Sequence, residues 1–296
     1  MKKILKRIYT LIPFKQEIFT LLKKVWTPKE SVYRHLYFKG VFTVPIDKNH
    51  SFKIKHYGYL VENEIFWAGL TKGWEKESLK LWIKLCETSD VILDIGANTG
   101  VYSLIAKAMK PSSKVYAFEP VKRVFSKLQE NILLNSYDIT ALEKAVSNAD
   151  GIATIYDTDA EHTYSVTVNE NFVEANSKAI ETTIETCTLN SFIKQNNIAK
   201  IDLIKIDVET HEAEVLEGFG KHLSDYKPTL LIEVLNDEVG EKINKLVQGL
   251  DYLFFNINEN GGIRQVEKIT KSDYFNYLLC NKKRATDLGI IQNPKA

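Results

Sequence analysis

The chain reads as short apolar runs alternating with stretches whose apolar positions recur three and four residues apart. VILDI (91–95) is followed by a glycine turn and VYSLIAKAMK, and KVYAF (114–118) by VKRVFSKLQENILLN. ITALEKAV (139–146) forms a third run. IDLIKID (201–207) leads into HEAEVLEGF, and PTLLIEV (228–234) into EKINKLVQGL. The short runs have strand length and the longer stretches have helical period. Strands apolar on both faces that alternate with helices predict an α/β fold with a parallel sheet and right-handed crossovers.

Other segments depart from that rhythm. Residues 151–190 read as strand, polar loop and strand, an insert before the fourth core strand. Near the end, DYLFFNIN and IRQVEKI flank Glu259-Asn260-Gly261-Gly262, a hairpin signal, and YFNYLLCNK follows. Upstream, EKESLKLWIKLCE (75–87) predicts a helix. VFTVPI and SFKIKHYGYL, joined by Asp47-Lys48-Asn49-His50, predict a hairpin over 41–60. Residues 2–26 carry apolar positions at helical spacing, broken at Pro13 and stopped by Thr27-Pro28. The expected organisation is a helical extension (1–40), the hairpin (41–60), a main domain (61–283) holding the 151–190 insert, and a tail (284–296).

Charge sharpens the view of the extension. Net charge is +1, which gives no whole-chain argument for a nucleic-acid partner. Residues 1–30, however, hold eight lysines and arginines against Glu17 and Glu30, a local +6 on a body of −5. Such basic amphipathic helices either pack their stripe on the rest of the protein or on a second copy, or lie on an anionic membrane surface. No apolar run has the roughly 20 residues that span a bilayer. Cys86, Cys187 and Cys280 are too far apart for a CxxC pair and suit a reducing compartment. The expectation is a cytoplasmic protein, with peripheral contact at the inner membrane face through residues 1–26 as the open alternative.

Chemistry concentrates first at Asp94-Ile95-Gly96-Ala97-Asn98-Thr99-Gly100, between a strand and a helix. The glycines permit a sharp turn and close approach of a ligand, and the helix N-terminus offers free N–H groups. Glu119, at the tip of the next strand, is spaced to accept ribose hydroxyls. A dinucleotide site wants G-x-G-x-x-G, and the third glycine is missing here. Asp94 suits the ammonium of S-adenosylmethionine. An NAD(P)-dependent oxidoreductase or epimerase shares the strand, turn and acid and stays as the rival reading, beside an inactive cofactor-binding partner subunit.

The stretches VILDIGANTGVYSL, VYAFEP, IDLIKIDVETHEAEVLEGF and PTLLIEV resemble the FkbM family of methyltransferases over about residues 62–283. The resemblance implies a class I methyltransferase, Rossmann-like fold: a mostly parallel seven-stranded sheet whose last strand is antiparallel. It also implies O-methylation of sugars or secondary metabolites. By matching positions, Asp94, Gly96, Asn98, Gly100, Glu119 and Pro120 would hold the cofactor, with Tyr102, Ala145 and Val146 beside it. The family carries glycine where this chain has Thr210, so that position is expected not to need a left-handed backbone, or the turn around His211 differs slightly.

Active sites of open parallel sheets lie at strand carboxyl ends. Asp207, Glu209, His211 and Glu212 follow the fourth strand, and Glu233 ends the fifth. An alcohol becomes a competent nucleophile only as its proton is accepted. His211 is the expected base, with Asp207 orienting it or the substrate. Asp207, Glu209 and Glu233 could alternatively offer oxygens to Mg²⁺. Glu212 and Glu214 read as first-turn acids favoured by the helix dipole. Acceptor contacts are expected from Trp74 and Glu75, from Glu233, and from His162, Thr163, Tyr164 and Ser165 in the insert.

Overall fold

The computed structural model describes residues 9, 12–158 and 179–291. The chain forms two compact units, Met1–Trp74 and Glu75–Ala296.

The first unit contains α1 (Lys15–Val25), α2 (Glu30–Tyr33), β1 (Gly40–Pro45), β2 (Ser51–His56) and α3 (Leu60–Ala68). β1 and β2 form the expected antiparallel hairpin. Its turn is closed by the Asp47 carboxylate, which accepts the N–H groups of Asn49 and His50. The strand expected to run on to residue 60 stops at His56. Gly58 turns left-handed (φ 99°), and Leu60 already opens α3. Phe19 of α1 is buried with Tyr33, Phe38, Phe66 and Trp67 in a small aromatic core.

The second unit runs α4 (Lys76–Glu87), β3 (Val91–Ile95), α5 (Val101–Met109), β4 (Lys114–Phe118), α6 (Lys122–Asn135), β5 (Ile139–Leu142), β6 (Ala145–Val146), β7 (Gly151–Thr158) and β8 (Ala179–Cys187). It continues with α7 (Leu189–Gln195), β9 (Leu203–Ile206), α8 (Glu212–Glu217), α9 (Lys221–Tyr226), β10 (Thr229–Glu233), α10 (Asp237–Leu246), β11 (Leu253–Asn258), β12 (Gly262–Val266), β13 (Asn276–Cys280) and α11 (Lys282–Asp287).

The main sheet has the order β12-β11-β13-β10-β9-β3-β4-β5. Removing β12 leaves seven strands in class I methyltransferase order, with β13 antiparallel to β10 and β11. The eighth strand is the return arm of the Asn-Gly-Gly hairpin, pairing Asn258 with Gly262. It corrects the expected count of seven. Leu93, Ile95, Ile204, Ile206, Leu230 and Ile232 are essentially fully buried on the central strands. At roughly 1.5–3 kcal/mol of favourable transfer each, such side chains explain why these strands lie centrally.

The run 139–146 is not one strand. β5 ends at Leu142, and β6 leaves to pair with β8, which also pairs with β7 in a separate three-stranded sheet. The insert thus builds its own sheet beside the main one.

Successive strands run outward from β3 in one direction through β4 and β5, and on the other side through β9 and β10. β3 and β9 are parallel neighbours, with Asp94 opposite Lys205. Their carboxyl ends form the topological switch point, where open α/β sheets bind ligands.

Candidate functional site

The turn after β3 is built from left-handed positions: Gly96 (φ 78°), Asn98 (φ 52°) and Gly100 (φ 94°). The glycines are needed for chain packing. A Cβ on Gly96 would sit 1.8 Å from the Asp207 carbonyl oxygen, and one on Gly100 would sit 2.6 Å from Leu128 Cδ1. The turn thus fits tightly between the end of β9 and α6. The N–H groups of Gly96 and Ala97 donate to the Phe118 carbonyl, which stitches the turn to β4.

Asp94 is completely buried. Its Oδ2 accepts from the Ser103 hydroxyl at 2.6 Å, while Oδ1 has no hydrogen-bond partner. Burial raises its pKa above the ordinary aspartate value, and Lys205 partly opposes this. A buried, unsatisfied carboxylate oxygen facing the switch point fits a cationic group. Asn98 Oδ1 is likewise buried without a partner.

Glu119 accepts the Asn98 N–H through Oε2 at 3.0 Å and the Val121 N–H through Oε1 at 2.9 Å. Burial pushes its pKa up to about 7, against the pull of those two N–H groups. Each oxygen keeps a second lone pair for a ligand hydroxyl. Pro120 follows at the strand end. Ala145 and Val146 lie in the three-stranded sheet, where Ala145 packs against the cluster of Val121, Val124, Ile155 and Ile184.

A second group of polar side chains surrounds Lys205. This lysine is 6% exposed, and its ammonium donates to Asp207 Oδ2 at 2.8 Å. It also lies over the Tyr102 ring, 4.7 Å from the centroid. Burial alone would lower its pKa, but Asp207, Asp94 and Glu75 together hold the ammonium above the ordinary lysine range. Tyr102 donates its hydroxyl to Glu75 Oε2 at 2.6 Å, and Asn276 Nδ2 donates to Glu75 Oε1 at 3.2 Å. Burial first, then Asp207, raises Glu75 to about 7 despite Lys205 and these two donors. Glu233 is pushed far above the usual carboxylate range by burial, then by Asp207, Glu209 and Glu75. The group thus gathers four carboxylates around one ammonium.

Glu75 owes its place to the far edge of the sheet. Glu259, in the β11–β12 turn, accepts the N–H of Glu77 at 2.6 Å and that of Ser78 at 3.2 Å, and also the Ser78 hydroxyl. Its carboxylate therefore caps α4, the helix that Glu75 precedes with a left-handed backbone (φ 46°).

The loop after β9 is strained. Glu209 (φ 54°) and Thr210 (φ 77°) are consecutive left-handed residues, and Thr210 is β-branched. The expectation that Thr210 needs no such backbone is overturned: the turn keeps the conformation that suits glycine. Glu212 holds it. This side chain is fully buried, and its Oε1 accepts the N–H groups of Val208 and Thr210, each at 3.2 Å. Burial pushes its pKa to about 8. The dipole role expected for Glu212 is replaced by this bracing one.

The structure does not bring His211 and Asp207 together as a base and its orienting acid. His211 Nε2 bonds the Ser147 hydroxyl at 2.9 Å, and Nδ1 lies 3.6 Å from Glu214 Oε2. Burial lowers its pKa, against Glu214 and Glu217. Asp207 instead pairs with Lys205. Trp74 ends the first unit, where its backbone N–H bonds the Glu64 carboxylate. His162, Thr163, Tyr164 and Ser165 lie outside the described residues. Among the described residues, no group of three His, Cys, Asp or Glu side chains is arranged to hold a metal ion.

Lys205 is the residue that the sequence pattern concealed. It sits inside an apolar strand, between Ile204 and Ile206, where a lysine must find buried counter-charges.

Among known proteins, the chain is 27% identical to the hexuronic acid methyltransferase AglP of Haloferax volcanii over 146 residues, which cover 49% of this chain and 56% of that protein. It is 30% identical to the 31-O-demethyl-FK506 methyltransferase FkbM of Streptomyces tacrolimicus over 155 residues, 44% of this chain and 59% of that protein. The chain thus spans little more than half the length of these relatives. The crystal structure of a methyltransferase FkbM from Methylobacillus flagellatus aligns with a TM-score of 0.40 at 16% identity, covering 64% of this chain and 43% of that one. Residues 94–265, from the buried Asp94 to the eighth strand, match the Methyltransferase FkbM domain, and the chain belongs to that family.

Proposed function

We propose that the chain is an S-adenosylmethionine-dependent O-methyltransferase whose acceptor is a hydroxyl of a sugar, glycan or secondary metabolite. The carrying observation is the buried Asp94, with one oxygen unpaired, beside Glu119 and across from the Lys205–Asp207 pair. Asp94 Oδ1 would take the ammonium of the cofactor, and Glu119 the ribose hydroxyls. When bound, the cofactor supplies an electrophilic methyl group on a sulfonium.

On the acceptor side, the Lys205 ammonium fixes Asp207 against the end of β9. Glu75, held by Tyr102 and Asn276, narrows the same region. The acceptor hydroxyl needs a proton acceptor close to the sulfonium. Glu233 suits that role better than His211, because it shares its surroundings with Asp207, Glu209 and Glu75, while His211 is engaged by Ser147 and Glu214. Burial and the neighbouring carboxylates favour protonated Glu233, and a cationic ligand beside it would lower its pKa, release the proton to solvent and leave a carboxylate able to accept the hydroxyl proton.

Two relatives lend support through their names, one to a sugar acid and one to a methylated oxygen.

Calorimetry with S-adenosylmethionine and with NAD tests the cofactor: binding of NAD but not of S-adenosylmethionine overturns the proposal. For the base, Glu233→Gln should lower kcat about 10²–10⁴-fold while keeping cofactor affinity, and His211→Ala should cost under about tenfold. The reverse pattern would reassign the base to His211. The acceptor class is tested by mass spectrometry of cell glycans with and without the protein, where the expected loss is one CH₂ per acceptor.

A further inference from the structure

Helix α1 carries two apolar faces. One is satisfied: Phe19 is buried in the aromatic core of the first unit, Gln16 Nε2 donates to the Val41 carbonyl at 2.6 Å, and the Lys23 ammonium donates to the Phe66 carbonyl. These contacts fix how the helix is turned. The other face holds Ile18, Leu21 and Val25, with Phe14 at the N-cap. Spacings of four, three and four residues place them on one narrow stripe along the helix. They are 43%, 63%, 85% and 73% exposed respectively.

A surface helix ordinarily buries its apolar stripe, and this second one has no partner within the described residues. Nine of the twelve large apolar side chains that stand exposed among the described residues belong to the first unit. The exposure is therefore a property of this region and not of the whole surface.

Charge decides between the occupants. The stripe belongs to a segment, residues 1–30, with eight basic and two acidic side chains. A second copy docking stripe to stripe would bring two such +6 segments together. An anionic leaflet instead attracts basic residues by about 1 kcal/mol each near its surface. Trp26, 45% exposed at the end of the helix, has the amphipathic ring favoured at the membrane interface. Among the described residues no helix is long and apolar enough to cross a bilayer, so contact would be in the plane of the surface.

We propose that the Phe14–Ile18–Leu21–Val25 stripe of α1 is a docking face for an anionic lipid bilayer, with the helix lying in the interfacial plane. This inference stands apart from the methyltransferase reading and does not depend on it.

Vesicle co-sedimentation of the full chain tests it. The probes are phosphatidylcholine vesicles with and without about one-quarter phosphatidylglycerol. The full chain should sediment with the anionic vesicles, much less with the neutral ones, and less as salt rises. Phe14→Asn/Leu21→Ser/Val25→Ser replaces exposed side chains only, and Asn tolerates the left-handed Phe14 backbone (φ 55°). That variant should keep the parent's thermal transition and partition at least about tenfold more weakly. Lys24→Glu/Lys29→Glu should weaken anionic binding while leaving the stripe intact. The proposal is overturned if the parent does not sediment with anionic vesicles, or if the triple variant binds as well as the parent. It is equally overturned if the parent is a dimer that the triple variant dissociates, since the stripe would then face a second copy.

Discussion

The turns that follow β3 and β9 lie side by side at the same edge of the sheet, yet they meet their backbone demands differently. The first places glycine at two of its three left-handed positions, Gly96 and Gly100. The second puts Glu209 and Thr210 in the left-handed region and braces them with the buried Glu212 carboxylate. One turn is made permissive by leaving out side chains. The other keeps its side chains in a costly conformation, of order 1–3 kcal/mol per residue, held by its surroundings. The strain lies in the turn that follows Asp207.

The largest break in this contrast would come from Gly96→Ala. The added methyl would sit 1.8 Å from the Asp207 carbonyl, so the two turns could no longer abut. Loss of more than about 3 kcal/mol of stability, or failure to fold, is expected, measured by denaturant unfolding. A variant of near-parental stability would mean that the turns separate without cost.

Next comes the brace. The folded pKa of Glu212, about 8, lies above its ordinary value, so the group contributes stability that is complete at low pH and is lost as pH rises through about 8. Glu212→Gln keeps an oxygen for Val208 and Thr210 but cannot ionise. Between pH 6 and 9 its Tm should fall by several degrees less than the parent's, at ~2–4 °C per kcal/mol. Identical slopes would show that ionisation of Glu212 is not resisted by the fold.

The smallest effect is relief of strain. Thr210→Gly should raise stability by about 1 kcal/mol, and Thr210→Ala, which keeps a Cβ, by less. If alanine and glycine behave alike, the left-handed backbone costs this chain nothing.

The central strands were legible because each is apolar on both faces, and β4 was bounded residue for residue at Lys114–Phe118. The run ITALEKAV misled because its second half is claimed by β8, a partnership invisible to local pattern. Among the candidate site residues, Asp94 near the end of β3 and Glu119 directly after β4 were legible from their places on buried strands. His211 did not reveal its orientation, since Ser147 lies 64 positions away and meets it only in the fold. Glu212 looked like one of two interchangeable first-turn acids, and its burial and its hydrogen bonds to Val208 and Thr210 distinguish it from the partly exposed Glu214. Lys205 carried a signal of a different kind: a charge inside an apolar strand, whose meaning depended on counter-charges from β3 and from Glu75.

The Glu259 cap on α4 has a consequence for engineering. A carboxylate on the outermost hairpin sets the start of a helix 182 residues earlier in the chain, and with it the position of Glu75 beside Asp207. The edge hairpin therefore acts as an adjustable strut. Lengthening or shortening it would re-aim Glu75, one wall of the proposed acceptor region, without touching a strand that carries Asp94, Lys205 or Glu233, which makes it the place to test whether acceptor preference can be altered on this scaffold.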